Sequence, residues 1–273
     1  MGKICFYSPP FPRVKSYFDM IDMASSYGLN AVEGLSILDF ATPDIEFAKK
    51  IREYADSKNV TFPCLSVFVR NINEDDNVER LKKYAEFAKI LGSPYLHHTI
   101  IGEFANPDNV LPYRDELFKK SIIAVREVFD YAQSIGIRTI FEEQGYIFNG
   151  IKGFGEFLDK VDRNVGVVAD FANMYEAGND AVEFIDAFKD KVVHAHIKDV
   201  YIKDTNDGKG LTTLDGKFMS EAEVGKGVVD IKKVIGILKD AGYDGYYGLE
   251  YSAKDDNSLV ISDTLKYIEP MLK

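Results

Sequence analysis

Four residues suited to metal and proton chemistry recur at a regular spacing: Glu142 in IFEEQG, Asp170 in VGVVAD, His196 in VVHAHIKD and Glu250 in GYYGLEY. Glu142 and Asp170 are 28 residues apart, and Asp170 and His196 are 26 apart. Each closes a short apolar or β-branched run that reads as a β-strand. In each run the residue two positions earlier, Ile140, Val168, His194 or Gly248, shares the same face. Three carboxylates and an imidazole gathered at one place repel one another unless a cation sits among them, so a divalent metal ion is the expected occupant. Such a donor set suits Mn²⁺, Mg²⁺ or Co²⁺, with Mn²⁺ the first expectation and Zn²⁺ also compatible. A metal there polarises the carbonyl of a ketose and acidifies the neighbouring C–H. Glu142 and Glu250 would flank that carbon as catalytic acid and base. Proton return from the opposite face gives epimerisation, return to the adjacent carbon gives isomerisation, and loss of a hydroxyl gives dehydration.

Other candidates surround these four. The chain has four histidines, all in two pairs, His97 with His98 in PYLHHT and His194 with His196 in HAHIKDV. Strand alternation lets only one of His97 and His98 face the site, and His98 is the expected one. His194 lies one layer below His196, in a packed, hydrogen-bonded role. Glu33, ending the second run, is a candidate for a sugar hydroxyl, with helix capping the alternative. Lys198 and Asp199 follow His196 as candidate substrate contacts, and Asp199 is also placed to orient the imidazole. Phe6, Phe68 and Tyr146 stand where the aromatic walls of a sugar pocket would be. The GKG at 225–227 is a weak phosphate signal, because glycines are common before helices.

These residues need elements to hold them. Eight strand-like runs begin near residues 3, 31, 60, 94, 137, 165, 192 and 245, with helix-period stretches between them. Leu117, Ala124, Val125, Val128, Ala132 and Ile135 trace one helical face; Ile231, Val234, Ile235 and Leu238 trace another, with Asp230 as N-cap and Gly242 as stop. Strict alternation of strand and helix calls for parallel pairing. Eight units in this length predict a (β/α)₈ TIM barrel in one domain spanning 1–273, with the chemistry at the carboxyl ends of the strands. The turn after the first strand, YSPPFPR, lacks the glycines of a dinucleotide fold. The long connection between HAHIK and GYYGLEY, with its Asp-Gly turn, predicts a small hairpin serving as a lid.

Composition narrows the class. Lys plus Arg total 33 against 44 Asp plus Glu, a formal charge of −11 that opposes nucleic-acid binding. Only Cys5 and Cys64 are present, both in apolar runs, so no disulfide framework is expected. Without a signal-peptide pattern or a bilayer-length apolar run, a cytoplasmic location and no membrane partner are the expectations.

The segments IFEEQG, VVADFAN, VVHAHIKD and EVGKGVVDIKKVIGILKDAGYDGYYGLEYS resemble the xylose isomerase-like TIM barrels, the sugar phosphate isomerase and epimerase group. The resemblance covers essentially the whole chain. It implies that Glu142, Asp170, His196 and Glu250 are the metal ligands and that the two glutamates serve as acid and base. It further implies a small sugar or polyol substrate and a homo-oligomer. Glu143 and Gln144 stand where the family commonly has Asn-His, and Asn173 where a substrate-holding histidine is usual. HIKDVYIKD is closer to the inosose dehydratase branch, which makes a keto-polyol lyase the alternative. An endonuclease IV-like nuclease and a non-catalytic sugar-binding barrel are weaker readings.

Overall fold

A computed structural model describes residues 3–7, 14–36, 43–74, 76–102, 106–206, 208, 210–250 and 258–273. The chain alternates strand and helix: β1 (Ile4–Tyr7), α1 (Tyr17–Ser26), β2 (Gly34–Leu35), α2 (Ile45–Ser57), β3 (Leu65–Val67), α3 (Asn77–Leu91), β4 (Tyr95–His98) and α4 (Arg114–Ser134). It continues with β5 (Arg138–Phe141), α5 (Gly150–Val161), β6 (Gly166–Asp170), α6 (Ala181–Phe188) and β7 (Val192–Ile197). Three further strands follow, β8 (Asp199–Lys203), β9 (Leu211–Thr212) and β10 (Phe218–Ala222), and then α7 (Ile231–Asp240), β11 (Tyr247–Glu250) and α8 (Ser258–Ile268).

Eight parallel strands form one sheet in the order β1-β11-β7-β6-β5-β4-β3-β2. A parallel bridge between Phe6 and Val32 brings its two ends together, with Phe6 N donating to Ala31 O and Glu33 N to Phe6 O at 2.9 Å each. This is the predicted (β/α)₈ barrel. Helices α1, α2, α6 and α7 start on side-chain caps: Ser16, Asp44, Asp180 and Asp230 each accept a first-turn N–H. Helix α4 buries Ala124, Val125, Val128 and Ala132 of the stripe that the periodicity traces, together with Phe118, Ile122 and Phe129, whereas Leu117 and Ile135 are half-buried. Two of the glycines that end helices, Gly136 and Gly242, adopt φ of 85° and 80°, a conformation that residues with a Cβ avoid.

The register sets the height of the site. Asp170 pairs with His196, His196 with Gly248, and His97 with Ile140. The predicted lid is an antiparallel sheet in the order β8-β10-β9. It is tied to the loops that follow β5 and β6, because Tyr146 Oη donates to Thr212 O at 3.0 Å and Leu214 N to Glu176 O at 2.8 Å. The sheet therefore belongs to the end of the barrel where the strands finish. Among the described residues no helix is long and apolar enough to cross a membrane.

Candidate active site

Strand alternation turns Glu142, Asp170, His196 and Glu250 inward at that end. One ligand-type atom from each lies within 4.8 Å of the others. His196 is at the centre: its Nδ1 is 3.2 Å from Glu142 Oε2, 3.4 Å from Glu250 Oε2 and 3.9 Å from Asp170 Oδ2. Asp170 is held by its other oxygen, Oδ1, which accepts from Ala172 N and Asn173 N at 2.7 Å each. Its Oδ2 is buried without a hydrogen-bond partner among the described residues. An orphaned carboxylate oxygen within 4 Å of an imidazole, with two glutamates alongside, is a donor set that a divalent cation fits.

Two cations of the chain face these carboxylates. Burial works against charge on His196, but Glu33, Glu142 and Glu250 raise it well above its ordinary value. Lys198 Nζ donates to Glu250 Oε1 at 2.9 Å and Asn173 Oδ1 at 3.1 Å; burial opposes its charge, and Glu250, Asp170 and Glu142 more than compensate. Burial likewise opposes ionisation of Glu250, yet Lys198 and His196 hold it below the usual carboxylate range. Asp170 moves the other way, pushed up to about 7 by burial against the pull of Lys198, with Glu250 and Glu142 adding to the rise. Lys198 and Asn173 are thus both at the site, and Asn173 Nδ2 is buried without a partner among the described residues.

Several sequence expectations meet a different geometry. Glu33 is fully buried and does not face a sugar pocket. His194 Nε2 donates to its Oε2 at 2.7 Å, His196 Nε2 donates at 3.0 and 3.2 Å, and Ser66 Oγ donates to its Oε1. It precedes β2 instead of ending it, so its side chain lies below the mouth, where it orients His196. His194 has the packed, hydrogen-bonded place expected of it. The histidine of the other pair that reaches the interior is His97 and not His98. Pairing with Ile140 puts His97 in phase with Glu142, and its Nε2 lies 3.6 Å from Glu142 Oε1. His98 points to the outer face, where it packs edge-on against Phe141 at 4.8 Å and its Nδ1 donates to Thr99 O at 3.0 Å. Burial there lowers it to about 4.

Asp199 contacts neither the imidazole nor the site. Its Oδ1 accepts from Val200 N and Val229 N, and its Oδ2 from Gly225 N and Gly227 N, at 2.8–3.1 Å. This also explains the GKG: a Cβ on Gly227 would stand 2.1 Å from Asp199 Oδ1, so the loop is shaped for the aspartate and not for a phosphate. Of the aromatic candidates, Phe68 lines a cavity of about 180 Å³ beside Glu142, whereas Phe6 is core and Tyr146 anchors the lid. The ring that stacks on His196 is Tyr7, at 4.6 Å and 21°.

Sequence reading also passed over a second acidic layer. Glu143 is fully buried with both oxygens unpartnered among the described residues, and burial beside Asp170 raises it well above the carboxylate range. Burial pushes Glu176 up to about 8, while Gly145 N and Asn149 Nδ2 donate to its Oε2. Deeper in the barrel, ligand atoms of Cys5, Glu33 and His194 also lie within 4.8 Å of one another, but the Glu33 oxygens are already engaged. A larger cavity of about 640 Å³ lies at the opposite end, lined by Lys3, Tyr95, His194 and Asp244, away from the strand ends that carry chemistry in barrels.

The family model for xylose isomerase-like TIM barrels matches residues 21–271. A curated relative, inosose dehydratase of Clostridium perfringens (strain 13 / Type A), is 22% identical over 255 residues, covering 89% of this chain and 84% of that protein. D-psicose 3-epimerase from Clostridium cellulolyticum H10, solved with D-tagatose, superposes with a TM-score of 0.77 at 14% identity, covering 99% of each chain. A xylose isomerase-like TIM barrel protein from Mycobacterium smegmatis, solved in complex with magnesium, gives 0.73 at 16% identity over 94% of this chain and 88% of that one. At these identities the structural likenesses establish a shared fold.

Proposed function

We propose, for a chain that belongs to the xylose isomerase-like TIM barrel family, that it is a divalent-metal-dependent isomerase or epimerase of a small keto-sugar or keto-polyol. The observation that carries this reading is the convergence of Glu142, Asp170, His196 and Glu250 within 4.8 Å, with Glu142 and Glu250 both near His196 Nδ1. These four would hold the ion, Mn²⁺ first among those the donors suit and Mg²⁺ the one in a structural neighbour. When bound, such an ion supplies Lewis acidity to a carbonyl oxygen and its neighbouring hydroxyl.

The remaining work falls to the chain. As a ligand His196 would present a deprotonated Nδ1 and keep its Nε2–H on Glu33, so ion affinity would weaken as pH falls. Glu142, just past β5, and Glu250, the last residue of β11, both approach His196 Nδ1; one removes the proton beside the carbonyl and the other returns it. Lys198 Nζ and the open Asn173 Nδ2 are donors for a substrate oxygen. The lid sheet over β5 and β6 limits water. The name of the curated relative favours a second reading of the same site, a lyase that follows proton removal with loss of a hydroxyl.

The test is incubation of the full chain and Mn²⁺ with ketopentoses, ketohexoses, their phosphates and inososes in deuterated water. Deuterium beside the carbonyl without water loss is expected, and Glu142→Gln and Glu250→Gln are each expected to slow it by about 10²–10⁴-fold. Water loss with a new double bond would favour the lyase; neither reaction with any compound would sink both readings.

A further inference from the structure

We infer that His97 is a substrate-contact residue: its Nε2, together with Glu142 Oε1, accepts a substrate hydroxyl, so the cavity beside β3 and β4 takes an uncharged hydroxylated arm in preference to a phosphate or carboxylate. The inference rests on the reading of the four-residue centre given above.

Counting hydrogens fixes the ring. Ser66 Oγ is in reach of Glu33 Oε1, of His97 Nδ1 at 2.9 Å and of Cys64 Sγ at 3.9 Å, a thiol that can donate to it. Glu33 already receives N–H groups from His194 and His196, which marks it as an acceptor on every side. The single hydroxyl hydrogen of Ser66 therefore goes to Glu33, and only lone pairs are left for His97. Nδ1 must supply the hydrogen in that contact, which leaves Nε2 of the neutral ring bare. That Nε2 is buried and has no hydrogen-bond partner among the described residues. It faces Glu142 Oε1 at 3.6 Å, two acceptors too far apart to share a bond and with nothing of their own to donate.

A buried acceptor is costly unless a donor enters, and Glu142 Oε1 beside it supplies none. The cavity that both residues line, about 180 Å³, offers room for one, with Phe68 and Tyr7 beside it for a carbon skeleton. Gln144 Oε1, also buried and without a partner among the described residues, is a further acceptor on the same wall, with its amide NH₂ a neutral donor. Among the described lining residues there is no lysine or arginine. A phosphate or carboxylate would face the Glu142 carboxylate with only neutral donors such as Tyr7, Ser36 and Gln144 to offset it, whereas a hydroxyl brings the hydrogen that His97 Nε2 lacks. Sites built to bond a hydroxyl reject analogues lacking it much more strongly than apolar pockets do.

Long-range ¹H–¹⁵N spectra of the imidazoles in the full chain, assigned with His97→Asn, read the tautomer directly. A hydrogen on Nδ1 is expected, moving to Nε2 in Ser66→Ala; a hydrogen on Nε2 in the unaltered protein would overturn the inference. His97→Asn keeps an amide N–H for Ser66 but lacks the Nε2 acceptor, so KM for a free ketohexose or inosose is expected to rise about tenfold to a hundredfold, with a smaller change in kcat. An unchanged KM, or faster turnover of the phosphate ester than of the free sugar, would also overturn it. The two failures separate. Absence of turnover with every keto-polyol sinks the proposed function, whereas an unmoved His97 Nε2 resonance on adding inosose or a free ketohexose sinks this inference.

Discussion

At the scale of single residues, the site depends on who holds His196. Glu33 binds its Nε2 and so aims Nδ1 at Glu142, Asp170 and Glu250. Replacing Glu33 by Gln keeps the shape but loses the charge, and is expected to weaken Mn²⁺ binding about 10- to 100-fold by titration calorimetry with circular dichroism unchanged. The neighbouring pair gives a pH prediction. His98 is held at about 4 by burial against an unfolded value near 6.5. The stability it contributes is full above pH 6.5 and is lost as pH falls through 4, because the unfolded chain binds the proton first. Between pH 7 and pH 5 the loss is on the order of 2 kcal/mol, and His98→Gln should narrow the difference between urea-unfolding free energies at those pH values by that amount. Residue type and spacing made Glu142, Asp170, His196 and Glu250 readable in advance, since each ends a strand two positions after a residue of the same face. They did not reveal the choice between His97 and His98, which depends on the pairing of β4 with β5. Glu33 was legible as an inward acid but not as a buried one, because its depth is set by where β2 begins.

At the scale of elements, the connection between β7 and β11 is the part the chain invests in most. Its Asp-Gly turn and polar β-formers foretold a hairpin, and the structure adds β8 as a third strand. The reason β8 was missed is that it begins at Asp199, one residue after Lys198, where sequence alone shows a loop charge beside a ligand. Asp199 instead gathers four backbone N–H groups and fixes the approach to α7. Asp199→Ala leaves these donors without their acceptor, and a loss of about 3–5 kcal/mol in denaturant unfolding is expected, with Asp199→Asn intermediate. Hydrogen exchange should quicken first at residues 225–229, where that carboxylate is the partner. Unchanged exchange there would deny it this role. On β11, Gly248 serves the same centre by its size: a Cβ would stand 3.0 Å from Glu33 Oε2 and 3.1 Å from His196 Cδ2, so a larger residue would displace this pair by a few tenths of an ångström.

At the scale of the molecule, alternation of strands and helices was enough to specify the barrel, because eight parallel strands with helical crossovers have few other ways to bury both faces. One end of that barrel collects carboxylates, imidazoles and a lysine; the other has the larger cavity but no comparable convergence of groups. The account as a whole stands on a cation at the first of these ends. The most direct measurement is a crystal structure of the full chain grown with Mn²⁺, with diffraction recorded at the manganese edge. One anomalous peak per chain is predicted, within bonding distance of Glu142, Asp170, His196 and Glu250. No peak, or a peak only among Cys5, Glu33 and His194, would contradict it.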